Sequence, residues 1–180
     1  MKFTMFEKQS HSIKMKAATV MASVILAVAL PWMFHALGRV LNIGTSAGEI
    51  FLPMHFPVMI AGFLAGPAAG LVAGILSPVI SFMITGMPTP LMLPFIAIEL
   101  AAYGAVSGAV SNVRMNGTLK VLAVQAAGRA VRAVAILFAV YALSSKVNAH
   151  IIYTSIVTGL PGIALQLLTV PYIVKKMKNE

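Results

Sequence analysis

Three ionisable side chains interrupt otherwise apolar sequence: Glu99 in LPFIAIELAAYGAV, and Arg129 and Arg132 in AAGRAVRAVAIL. Arg129 and Arg132 are three residues apart, which on a helix places them on one face. Glu99 and Arg132 can form a buried ion pair. A planar guanidinium can equally hold a ligand carboxylate or phosphate through two parallel hydrogen bonds. One Glu cannot neutralise two Arg, and an unmatched buried cation needs a partner. The pattern therefore favours capture of an anionic or strongly hydrogen-bonding small solute. The structural alternative is a Glu99–Arg132 pair that only locks two helices together, with Arg129 turned toward the surface or toward helix carbonyls.

Other polar residues sit at the ends of apolar stretches. His55 lies between Pro53 and Pro57, Thr85 precedes the turn TGMPTP, and Asn148, His150 and Tyr153 cluster where the last apolar segment begins. Each can line the mouth of a cavity or mark a membrane interface. Several chemistries are disfavoured. The chain has no Cys, so it has neither disulfides nor thiolate metal ligands. It has no Asp, and its four acids are the scattered Glu7, Glu49, Glu99 and Glu180, so a Mg²⁺-dependent transferase lacks its ligands. No G-x-x-x-x-G-K-[ST] stretch is present to hydrolyse ATP. Ser107 in AVSGA, with His150 as base, is a poor match to an intramembrane hydrolase and fits a small-residue packing face better. The twelve Met residues read as adaptable core filler. No enzyme, cofactor or metal site is expected.

The elements that position these residues follow from hydropathy. The chain has 180 residues, of which 59% are hydrophobic and 9% charged, with a mean hydropathy of +0.94; soluble domains carry about 25% charged residues. From Glu49 to Glu99 there are forty-nine intervening residues without a charge. A bilayer core of ~30 Å takes about 20 helical residues, so the run holds two spans and their turns, broken at AGPAAG and TGMPTP. The expectation is an all-α integral membrane protein, one bundle of six transmembrane helices over residues 1–180. The spans fall at about Met15–Leu37, Pro53–Ala65, Ala68–Thr85, Leu91–Val113, Leu119–Leu143 and Ile151–Val174, the last broken near Gly159–Pro161–Gly162. Gly38–Glu49 and Ser144–His150 read as outer loops. At ~1.5 Å per residue, Glu99 lies about 12 Å below the outer end of its helix.

The net charge of +9 raises nucleic acid as a partner, but the basic residues are sorted by topology. Lys2, Lys8, Lys14, Lys16, Arg114, Lys120, Lys175, Lys176 and Lys178 fall on one side of a six-span chain, against Arg39 and Lys146 on the other. Excess Lys and Arg mark cytoplasmic segments, so both termini, residues 1–14 and 175–180, are expected in the cytoplasm. Small residues recur at four-residue spacing in Ala18/Ala22, Gly70/Gly74, Ala101/Ala105/Ala109 and Gly104/Gly108, the pattern that lets membrane helices approach closely.

Together, LPMHFPVMIAGFLAGPAAGLVAGILSPVISFMITGMP, the segment ELAAYG at Glu99–Gly104 and AGR at Ala127–Arg129 resemble the substrate-binding S components of energy-coupling factor (ECF) vitamin transporters. The resemblance implies a multi-pass protein of a bacterial cell membrane that captures a vitamin from outside. It implies a ligand cavity in the outer half, with Gly38–Glu49 and Thr85–Pro90 as lids. Arg129, Arg132, Glu99, His55, Asn148, Tyr153 and Thr85 are the candidate ligand contacts. Ala18 and Ala22 match the family's AxxxA motif, which packs on a transmembrane coupling subunit. Transport then proceeds by reorientation of the S component, driven by two ATPases on other chains. The likeness is greatest to the pantothenate-type group and its relatives around cobalamin precursors. Pantothenate, an anion, suits an unmatched Arg.

Overall fold

A computed structural model describes residues 13–40, 42 and 46–179. The basic stretch holding Lys2 and Lys8 lies outside them, as do residues 41 and 43–45. Every regular element among the described residues is helical. These are α1 (Ile13–Val40), α2 (Ser46–Phe51), α3 (His55–Ala65), α4 (Pro67–Thr85), α5 (Leu93–Val110), α6 (Gly117–Ala142), α7 (Ile151–Thr158) and α8 (Leu160–Asn179).

Five continuous stretches are long and apolar enough to cross a membrane, α2 and α3 counting as one over Ala47–Ala65. The sixth is the pair α7 and α8, bent by 52° at Gly159. A multi-pass helical bundle is the only arrangement that satisfies so many backbone groups in lipid. Lys14, Lys16, Arg114, Lys120 and Lys175–Lys178 lie at one end, called inner here, and Arg39 and Lys146 at the other.

The outer ends of the first two spans differ from the sequence reading. α1 does not stop near Leu37 but continues to Val40 with Pro31 in its interior, since a membrane helix absorbs an interior proline. Gly38–Glu49 is therefore not one loop: its start belongs to α1, and Ser46–Phe51 forms α2. Phe51 stacks on Phe34 with ring centroids 5.3 Å apart, holding α2 against the end of α1.

α3 is the most buried element, with Val58, Met59 and Ala61 at 1% exposure or less. Glycines bring its neighbours into backbone contact. A Cβ on Gly70 would run into the carbonyl of Gly104, one on Gly104 into that of Gly70, and one on Gly74 into that of Leu100. The Gly70/Gly74 and Gly104/Gly108 pairs are thus an intramolecular seam. Pro78 sits inside α4, where the Ser77 hydroxyl donates back to the Ala73 carbonyl at 2.6 Å. The seam rigidifies the side of the bundle from which Glu99 projects.

Candidate functional site

The outer half of the bundle encloses an open cavity of about 1120 Å³. Its walls come from α1 (Val20 to Arg39), α2 with Leu52–His55, the outer half of α4 (Leu76 to Thr85), Met87–Thr89, the start of α5, Arg132 of α6, and Ile151, Thr154, Ser155 and Thr158 of α7. Most of this lining is aliphatic, so a ligand is held chiefly by apolar contact, with orientation left to a few polar groups.

Those groups converge at one place. α5 starts at Leu93 rather than Leu91, so Glu99 lies about 9 Å below its outer end. Arg132, ten residues from the end of α6, donates from Nη1 to Glu99 Oε2 at 2.9 Å. His55, the first residue of α3, places Nε2 3.8 Å from Glu99 Oε1. Its ring stands edge-on to Tyr103 with centroids 4.8 Å apart. His55, Glu99 and Arg132 all line the cavity, and each keeps buried hydrogen-bonding capacity unfilled: both ring nitrogens of His55, Oε1 of Glu99 and Nε of Arg132. Unfilled buried polar atoms cost about 1–3 kcal/mol each, so a cluster of them beside a cavity is suited to a hydrogen-bonding ligand.

Arg129 is not on the cavity wall. It shares with Arg132 a small slot between α6 and α7, where its Nη1 donates to the carbonyl of Ser155 at 3.3 Å. The second cation is thus turned to one carbonyl near the C-terminal end of α7, where a positive charge is favoured, with its Nε and Nη2 left without a hydrogen bond. Thr85 reaches the cavity, but its hydroxyl donates to Ser81 O and accepts from Met87 N. Asn148 and Tyr153 do not reach it. The Asn148 side chain accepts from His150 N, and Tyr153, 63% exposed, packs on the His150 ring. α7 instead turns Thr154, Ser155 and Thr158 inward. Ala18 and Ala22 are exposed on α1 and occupy no internal contact seam.

Sequence reasoning missed three features. Trp32, His35 and Arg39 line the cavity from one side of α1, near Glu49 on α2. Their spacing of three and four residues was a readable helical stripe. Gln125 and Gln166 form a buried amide pair at 2.8 Å below the cavity, and Gln166 also donates to Leu52 O. Two glutamines in apolar spans are the expected sign of interhelical hydrogen bonds. Tyr103, fully buried, lies in the field of Glu99, Arg129 and Arg132, fitted against α6 where Gly128 leaves room for its ring.

The family model described as "ECF transporter, substrate-specific component" matches residues 10–174. No curated protein and no solved structure matches the chain.

Proposed function

This chain belongs to the substrate-specific components of ECF transporters, and on that premise we propose that its outer cavity is the capture site for a vitamin or vitamin precursor. The family is a class of transporter subunits rather than of enzymes. Such components bind a small molecule and work with a coupling subunit and ATPases. The observation that carries the proposal is the cluster of His55, Glu99 and Arg132, which face a largely apolar cavity with hydrogen-bonding atoms unfilled.

The geometry changes the chemical argument for the ligand. With Arg129 turned to α7 and Arg132 paired with Glu99, the cavity floor does not require an anion. It requires hydrogen-bonding groups on an otherwise apolar body. Pantothenate offers hydroxyls, an amide and a carboxylate around a dimethyl-substituted carbon, and is the first ligand we assign. A ribosylated benzimidazole, a cobalamin precursor, offers ribose hydroxyls on an aromatic body and is the alternative. Uptake across a bacterial cell membrane, with Ala18 and Ala22 against the coupling subunit and two ATPases driving reorientation, completes the reading. Both alanines are exposed, as a docking surface requires.

The test is equilibrium binding of radiolabelled pantothenate, α-ribazole and cobalamin to the purified chain. Saturable binding of one of them, lost in Arg132→Ala and in Glu99→Gln, is the expected result. Absence of saturable binding for all three would overturn the substrate assignment. A ligand-dependent rise in melting temperature distinguishes a receptor from a purely structural membrane subunit, for which no such rise is expected.

A further inference from the structure

The outer limb of the last span is unlike the other cavity walls. α7 has no fully buried residue, yet Ile151, Thr154, Ser155 and Thr158 line the cavity. It is separated from α8 by the 52° bend at Gly159. An eight-residue helix is marginal on its own; Ile151 and Ile152 pack on the cluster of Phe95, Ile136, Ala139 and Val147 at its start, and a second anchor is needed to set its end at the bend.

Arg129 is placed to do so. Its Nη1 donates at 3.3 Å to Ser155 O, a last-turn carbonyl that also accepts from Gly159 N. Its Nη2 lies against the bend: a Cβ built on Gly159 would come within 3.0 Å of that nitrogen and 2.9 Å of Ser155 O. The guanidinium lines a small slot between α6 and α7 together with Ile136, Ile152 and Ile156, and does not line the cavity. A cation here neutralises the negative end of α7 and ties it to the long, continuous α6.

We propose that Arg129 is a positioning residue, a strut that sets α7 as the adjustable wall of the cavity, rather than a ligand contact. The proposal builds on the capture-site reading, but its test needs no ligand and so fails or succeeds separately from the substrate assignment. The chain has no Cys, so single thiols can be introduced by Thr154→Cys or Thr158→Cys on α7, and by Thr85→Cys on the α4 wall as reference. Modification by a membrane-impermeant maleimide is timed in proteoliposomes for each. In an Arg129→Gln background the α7 thiols should react about five-fold faster, the factor that loss of ~1 kcal/mol of anchoring gives, with the Thr85→Cys rate unchanged. Arg129→Lys, which keeps a donor and the charge, should recover part of the difference. Gly159→Ala, which crowds the guanidinium from the other side, should reproduce the Gln phenotype and carries the test if the Arg129 variants do not fold. Equal acceleration at all three positions would show general loosening and overturn the strut. Unchanged rates on α7 in both Arg129→Gln and Gly159→Ala would overturn it as well.

Discussion

The two sides of the cavity are built on opposite principles. On the α4–α5 side, glycines bring backbones into contact, and Gly70, Gly74, Gly104 and Gly108 leave no room for a single Cβ. On the α6–α7 side, the contact is made by side chains: Ile151 and Ile152 against the cluster holding Ile136 and Ala139, and one guanidinium reaching one carbonyl. Backbone-to-backbone packing has no rotamers to relax and resists deformation. A wall held by side chains alone can shift as those side chains change rotamer. The difference places the charged cluster, with Glu99 on the rigid side and Arg132 on α6, at the boundary between a fixed wall and a compliant one.

The strongest challenge to this contrast is Arg132→Ala, which leaves Glu99 fully buried with His55 at 3.8 Å in place of a permanent cation. A loss of about 3–5 kcal/mol is expected, read as a large drop in melting temperature in detergent. Adding Glu99→Gln to it should return much of that stability. If the double variant melts no higher than the single, the pair is not what joins the two walls. Next comes Gly104→Ala, where the new methyl must displace the Gly70 backbone. Overpacking of this kind costs about 1–3 kcal/mol, and a melting temperature equal to wild type would show that the seam is not tight.

A smaller effect is expected below the cavity. Gln166→Leu removes the hydrogen bond from Gln125 and the one to Leu52 O, and net hydrogen bonds contribute about 0.5–1.5 kcal/mol each. Because these bonds tie α6, α8 and the start of α3 together, the loss should appear in stability with ligand selectivity unaltered. A change in which vitamin binds would move the site's boundary inward. The smallest stability effect belongs to Ala22→Leu on exposed α1. Melting should stay within about 0.5 kcal/mol of wild type while co-purification with the coupling subunit falls. A stable variant that still assembles fully would remove Ala22 from the docking surface.

Much of this architecture was legible in the residues. Hydropathy and the position of Gly and Pro located six spans, including the break near Gly159. Three-residue spacing put Arg129 and Arg132 on neighbouring positions of one helix, and depth along the helices matched Glu99 to Arg132. Other features were not legible, for identifiable reasons. Small residues at four-residue spacing look alike whether they face a sister helix or the outside; only packing separates the internal Gly70/Gly104 seam from the exposed Ala18/Ala22 stripe. Asn148 and Tyr153 stand at the right end of the bundle, but a local turn engages Asn148 with His150 N. The helical phase of α7 then sends Thr154 and Ser155 inward instead. The helical turn of α2 was hidden because SAGEIF is short and carries no periodicity strong enough to identify it.

By itself the sequence determined that this is a charge-sorted, multi-pass helical membrane protein with three ionisable groups buried in it. The cost of exposing polar groups to lipid leaves no other arrangement for such a composition. What only the tertiary structure decided is which partner each buried charge takes. Composition counts one carboxylate against two guanidiniums, but electrostatics acts over a few ångströms. The fold assigned Arg132 to Glu99 and Arg129 to the end of α7, turning an apparent anion site into a hydrogen-bonding floor beside a movable wall.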